Sequence, residues 1–263
     1  MALQDDLNRI EQALRRACAV LSRFSREDVE TRLKERGDPV TEADLAVDRE
    51  LASFLPSPGD GWLSEESADD ASRLERSRVW VVDPLDGTRE FLAGIPEWCV
   101  SIGLVEAGRP VAGGIANPTT GQTVVGGVGV GVTWNGAPRA MRETTALEAA
   151  EVLASRSETG RGEWKRFASA PFRVRPVGSV AYKLGLVAAG LADATWTLKP
   201  KHEWDVAAGV ALVLAGGGEV WIPGGGELAF NRKCPKLTGL VACSAAIAPA
   251  VRDLLARDPA RER

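Results

Sequence analysis

The apolar run Val79-Trp80-Val81-Val82 leads directly into Asp83-Pro84-Leu85-Asp86-Gly87-Thr88, and this junction constrains the chain more than any other stretch. Four consecutive large apolar residues predict a buried strand, which makes whatever follows it rigid. Pro84 fixes one backbone dihedral and removes a donor, so Asp83 and Asp86 converge instead of pointing to opposite faces. Hard carboxylate oxygens with a backbone carbonyl suit Mg²⁺, which keeps several waters and shares its shell with substrate phosphate. Gly87 lets the backbone approach an anion, and Thr88 opens a helix whose N–H groups would face it. The same six residues also satisfy an ordinary tight turn. The choice between the two rests on the remainder of the chain.

The 263 residues suffice for one large domain or two modest ones. A hydrophobic content of 44% with 26% charged residues is that of a soluble globular protein. The net charge of −4 and the absence of Lys/Arg-rich runs argue against a nucleic-acid polymer as partner. Cys18, Cys99, Cys234 and Cys243 are scattered, with no C-x-x-C pair, which fits free thiols in a reducing compartment. No apolar run approaches membrane-spanning length, and residues 1–16 carry charges rather than an apolar leader, so a cytoplasmic protein is expected.

Leu3, Leu7, Ile10, Leu14, Ala17 and Leu21 recur at helical spacing and predict an opening amphipathic helix. Residues 25–38, including Lys34, read as a polar surface loop. Thr41-Glu42-Ala43-Asp44 has capping-box spacing and predicts a helix to about Leu55. Strands are expected at 79–82, 98–105, 111–116 and 123–132, with Asn135-Gly136 as a hairpin turn. The run Gly126-Gly127-Val128-Gly129-Val130-Gly131 lacks the strand–turn–helix context of a phosphate loop and reads as a glycine-rich hairpin. Beyond residue 145 strands (152–155, 173–177, 193–198, 219–222) alternate with helices (180–189, 204–215, 245–256). The expectation is an α+β first half, 1–145, joined to an α/β second half, 146–263, in one compact unit.

Four further acids are candidates for completing a metal site. Glu65 and Glu66 lie in Leu63-Ser64-Glu65-Glu66-Ser67, Asp44 opens the second helix, and Asp205 opens the small-residue helix Trp204-Asp205-Val206-Ala207-Ala208-Gly209. Taken singly, each has a plain structural role: a capping acid, a solvated charge, a first-turn acid favoured by the helix dipole.

Taken together, the ordered motifs 37–44 (Gly-Asp-Pro-Val-Thr-Glu-Ala-Asp), Ser64-Glu65-Glu66, 80–88 (Trp-Val-Val-Asp-Pro-Leu-Asp-Gly-Thr), Gly178-Ser179 and 204–209 (Trp-Asp-Val-Ala-Ala-Gly) resemble the inositol monophosphatase superfamily of Mg²⁺-dependent, lithium-sensitive phosphomonoesterases. The resemblance implies a layered αβαβα sandwich acting on a small phosphate ester, as a monomer or homodimer. It also implies two or three Mg²⁺ per site. Glu65, Asp83 and the Leu85 carbonyl would hold one, Asp83, Asp86 and Asp205 a second, and a weaker third would lie near Glu65 on the side facing Lys34. Thr88, bonded to Asp44, would position and help deprotonate the attacking water, while the Gly87 and Thr88 amides would bind phosphate oxygens.

Substrate preference is carried by fewer residues. Arg89-Glu90-Phe91 after Thr88, Ser64 before Glu65, and Lys183 resemble the 3′(2′),5′-bisphosphate nucleotidases of the CysQ type more than inositol enzymes. Leu198, seven residues before Asp205, stands where inositol enzymes carry a glutamate for ring hydroxyls, and leucine accepts no hydrogen bond. Lys183, Lys199, Lys201 and Arg175 are candidates for a second phosphate. The expected reaction is removal of the 3′-phosphate of adenosine 3′,5′-bisphosphate, a by-product of sulfate assimilation, with inositol 1-phosphate or sugar phosphates as alternatives. A fold kept as a non-catalytic binder of phosphate ligands is the remaining expectation.

Overall fold

The computed structural model describes residues 3–26, 29–33 and 39–257. Its first helix, α1 (Leu3–Leu21), buries Leu7, Ile10, Leu14, Ala17 and Leu21 as its periodicity predicts. A short antiparallel pair, β1 (Thr31–Leu33) and β2 (Pro39–Thr41), stands where the sequence reads as loop. The pairing places Leu33 beside Pro39, contacts that no sequence pattern of three residues announces. Lys34, with Gly37 and Asp38 of the first motif, lies outside the described residues. Thr41 then caps α2 (Glu42–Phe54) through the expected capping box with Asp44.

Seven strands follow as one sheet: β3 (Gly61–Ser64), β4 (Arg78–Asp86), β5 (Cys99–Glu106), β6 (Arg109–Asn117), β7 (Gln122–Gly127), β8 (Gly131–Trp134) and β9 (Ala137–Arg139), side by side in chain order. Only β3 and β4 run parallel. A six-residue helix, α3 (Thr88–Ala93), leaves the end of β4. The glycine-rich run is a hairpin between β7 and β8, as its composition predicts.

A second sheet is built from β10 (Glu151–Ser155), β11 (Arg173–Val177), β12 (Ala194–Thr197), β14 (Glu219–Trp221) and β16 (Leu240–Cys243), in the order β11-β10-β12-β16-β14. Between these strands lie α4 (Arg156–Gly160), α5 (Val180–Ala188), α6 (Glu203–Ala215) and the two-residue strands β13 (Lys201–His202) and β15 (Lys236–Leu237). The last helix, α7 (Ala248–Ala256), starts three residues later than the sequence suggests. Residues 245–247 first form a turn, and Pro249 sits in the helix's opening turn, where a missing N–H costs nothing.

Alternation along β4 explains the layering. Trp80 and Val82 face α1 and α2, while Val79 and Val81 face the core containing α5 and α6. That central core also takes in Leu153, Leu240 and Ala242 of the second sheet, whose opposite face packs Trp196, Val241 and Cys243 against Trp164, Phe167 and α7. The architecture is therefore α, β, α, β, α. Helix α6, buried on every side in the middle layer, is apolar all round rather than amphipathic. The four cysteines are free thiols, and among the described residues no helix is long and apolar enough to cross a membrane.

Candidate active site

Two parallel neighbours ending at the same edge bring the first two acids together. Ser64 at the end of β3 pairs with Val82 of β4, so Glu65 and Asp83 emerge side by side, and the Glu65 amide donates to the Val82 carbonyl (3.2 Å). Beyond Asp83 the β4–β5 register slips before Asp86, the irregularity expected where Pro84 withholds a ladder donor. The Leu85 amide turns back to Asp83 Oδ1 (3.0 Å). The third acid comes from the other half of the chain. Helix α6 lies so close to β5 and β6 that a Cβ on Gly113 would fall 2.3 Å from the Ala208 carbonyl oxygen, and one on Gly103 2.8 Å from its nitrogen. That approach carries the helix's first turn over the end of β4, and Asp205 Oδ2, bonded to the His202 amide (2.9 Å), is fixed there. Ligand oxygens of Glu65, Asp83 and Asp205 thus lie within 4.8 Å of one another.

Charge accumulates at this point. Asp83 is 2% exposed, and burial, reinforced by Glu65, Asp86 and Asp205, pushes its carboxyl well above the usual range. Asp205 is pushed up to about 8 by burial and then by Asp86 and Glu65, with Lys201 opposing. Carboxylates held together at this cost need either protons or a cation, and a set of hard oxygens fits a divalent ion such as Mg²⁺. Asp86 reaches the first turn of α5. Its Oδ2 accepts from Ser179 Oγ and from the Ala181 amide, both at 2.6 Å.

Beside the acids, Thr88 Oγ1 lies 3.2 Å from Asp44 Oδ1 and 3.1 Å from the Leu85 carbonyl oxygen, so its one proton is shared between them. Asp44 Oδ2 accepts from the Thr41 amide (2.9 Å) and Thr41 Oγ1 (2.5 Å). Burial raises the Asp44 carboxyl despite these donors, making it a better proton acceptor. Gly87 joins β4 to α3 at φ 100°, a conformation open to glycine and strained for other residues.

The basic candidates separate in space. Lys183 is 3% exposed, donates to the Ser179 (2.6 Å) and Val177 (3.4 Å) carbonyls, and is pulled down to about 8, chiefly by burial. It shares a small cavity with Lys201, which also acts on Asp205. Lys199 points elsewhere, 4.0 Å from Glu163, in a cleft of about 700 Å³ that Leu198 and Trp196 also line. Arg175 pairs with Glu151 on the far edge strand. His202 stacks on Trp204, with ring centroids 4.4 Å apart. Sequence reasoning gave no role to Ser179, the partner of Asp86, or to Glu97. The Glu97 carboxylate accepts from the Gly178 amide (2.8 Å) and forms a bidentate pair with Arg156. Ser179 had its signal in the Gly178-Ser179 motif, whereas Glu97 sits in a loop with none.

The chain is similar to known proteins over nearly its whole length. A sequence profile of the inositol monophosphatase family matches residues 3–258. The chain is 31% identical to an inositol-1-monophosphatase of Rhizobium meliloti, covering 98% of each. It is 34% identical to a 3′-phosphoadenosine 5′-phosphate phosphatase of Mycobacterium leprae, covering 73% of this chain and 72% of the relative. The crystal structure of an inositol monophosphatase from Anabaena superposes with a TM-score of 0.79 at 27% identity, covering 98% of both chains.

Proposed function

The chain belongs to the inositol monophosphatase family of phosphatases, and from that premise we propose that it is a Mg²⁺-dependent phosphomonoesterase whose preferred substrate is adenosine 3′,5′-bisphosphate, cleaved at the 3′-phosphate to AMP and inorganic phosphate. The convergence of Glu65, Asp83 and Asp205 within 4.8 Å carries the reading of a metal-assisted hydrolase. Asp86, whose Oδ2 is held by Ser179 and Ala181, and the Leu85 carbonyl, which meets Thr88 Oγ1, would complete the donor set. A cation bound there supplies charge neutralisation for the phosphate and lowers the pKa of a water. The residues supply the remainder. Thr88 orients the attacking water, and Asp44, held basic by burial, accepts the proton through the Thr88 hydroxyl. The Gly87 and Thr88 amides receive phosphate oxygens. The water oxygen bonds to phosphorus as the bond from phosphorus to the 3′ oxygen breaks. The departing 3′ oxygen takes a proton from solvent, and Asp44 returns the one it accepted to solvent.

For the second phosphate, Lys201 beside Asp205 is the supporting cation. Lys183, whose ammonium is spent on the Ser179 and Val177 carbonyls, shares with it a cavity of only about 10 Å³, too small for a phosphate, and so lends the site charge rather than contact. Lys199, facing Glu163, has the weaker claim. Leu198 packs on the aromatic cluster and offers a polyol no acceptor. Lithium inhibition, a cytoplasmic setting and a place in sulfate assimilation belong to the same reading. Identity to the Rhizobium meliloti inositol-1-monophosphatase over nearly the whole chain favours inositol 1-phosphate as the second reading. Phosphate release with Mg²⁺ from adenosine 3′,5′-bisphosphate, inositol 1-phosphate and fructose 1,6-bisphosphate at equal low concentration separates them. The nucleotide should be turned over fastest. Preference for inositol 1-phosphate would overturn the substrate assignment, and no release from any ester would overturn the enzyme.

A further inference from the structure

Asp48 lies one helical turn beyond Asp44 on α2, 7% exposed, and has no part in the chemistry described above. Both of its oxygens are used. Oδ1 accepts from Ser64 Oγ and Oδ2 from Ser67 Oγ, each at 2.5 Å. These serines bracket Glu65-Glu66. Ser64 Oγ also accepts from the Glu66 amide (3.3 Å), and Ser67 Oγ from Trp62 Nε1 (3.3 Å). From the sheet side the Val82 carbonyl holds the Glu65 amide. The segment bearing Glu65 is therefore gripped on one side by β4 and on the other by a buried carboxylate.

We propose that Asp48 is a positioning residue that holds Glu65 against Asp83 and Asp205. The inference rests on reading those three acids as a cation site. Its physical reason is repulsion: carboxylate oxygens of Glu65, Asp83 and Asp205 lie within 4.8 Å of one another, so a loop free to move would carry Glu65 away from the other two. Two charge-assisted hydrogen bonds from a rigid helix oppose that escape. The i, i+4 spacing adds a second consequence, because residues four apart share a helix face. Asp44 tethers Thr88 and Asp48 tethers the Glu65 segment, so α2 sets the water-orienting hydroxyl and a metal ligand in one register.

The experiment compares wild type, Asp48→Asn and Ser67→Ala by isothermal titration calorimetry with Mg²⁺, alongside thermal unfolding in a chelator and turnover across Mg²⁺ concentrations. Partners of metal ligands change affinity by about 10–100-fold when lost. Asp48→Asn should weaken Mg²⁺ binding by about that factor, with kcat largely restored at saturating Mg²⁺. Ser67→Ala, the milder change, should shift affinity in the same direction and serves alone if Asp48→Asn does not fold. A lowered Tm with unchanged Mg²⁺ affinity would assign Asp48 to structure and overturn the inference. A folded wild type that binds no Mg²⁺ would instead overturn the cation site beneath it, and the inference with it.

Discussion

Asp44 does two things with one carboxylate: Oδ2 closes the capping box of α2, and Oδ1 meets the Thr88 hydroxyl. The structural role and the chemical role, alternatives in the sequence, coexist because a carboxylate has acceptor sites for both. The two can be separated by mutation. Thr88→Ala removes the hydroxyl and leaves the cap, so kcat should fall by about 10²–10⁴-fold, the range of general acid–base catalysis, with Mg²⁺ affinity kept. Asp44→Ala should lose comparable rate and in addition about 1–3 kcal/mol of stability, because the buried Thr41 amide loses its acceptor. Steady-state kinetics and denaturant unfolding on both variants check this, and a Thr88→Ala enzyme within threefold of wild type would remove Thr88 from the mechanism. Lys183 shows what a single residue in a sequence conceals. Its charge and helical position were legible, but not that its ammonium would be buried against the Ser179 carbonyl, a contact made by the left-handed turn at Ser179 (φ 53°).

At the scale of elements, Asp205 owes its place to the fit of α6 on a glycine-lined sheet. Gly103 and Gly113 stand on adjacent strands, paired in register, and the helix backbone at Ala207 and Ala208 occupies the space their side chains would fill. Gly113→Ala should therefore overpack the interface, costing about 1–3 kcal/mol, and push the first turn of α6 off the acids. Thermal unfolding together with Mg²⁺ titration would register both effects; an unchanged Tm and Mg²⁺ affinity would mean that the helix yields freely. The sequence announced α1, α2, α5 and α6 through periodicity, capping and small-residue runs, and β4 to β6 through apolar runs between turn residues. It did not announce β3 or β16, whose few apolar residues acquire meaning only from the strands beside them. The omission matters, since β3 pairing parallel to β4 is what sets Glu65 beside Asp83. Motif order placed these acids in one site, but the physical cause lies in a pairing that a linear reading does not reveal.

Across the whole molecule, five layers close on a centre where burial and like charge both oppose ionisation, and this couples global stability to pH and to metal. Asp83 and Asp205 bind protons more tightly folded than unfolded, Asp205 up to about pH 8. Between about pH 4, the ordinary carboxylate range, and pH 8 the folded state keeps protons that the unfolded chain has released, so stability without a cation falls as pH rises. Lys183 acts in the opposite sense above pH 8. Its ammonium is pulled down to about 8, so there the unfolded chain binds a proton that the folded state has lost, and the decline should level off. A divalent ion takes the place of the protons on the acids and removes their penalty. In chelator, Tm should therefore drop from pH 5 to pH 8, by about 2–4 °C for each kcal/mol lost in a chain of this size. With saturating Mg²⁺ the drop should vanish, so the stabilisation by Mg²⁺ is largest near pH 8 and small at pH 5, where protons compete for the same oxygens. Calorimetric scans across that range, with and without Mg²⁺, decide the matter. A chelated protein equally stable at pH 5 and pH 8 would show that the acids carry no strained charge, and a Mg²⁺ effect independent of pH would place the ion away from Asp83 and Asp205.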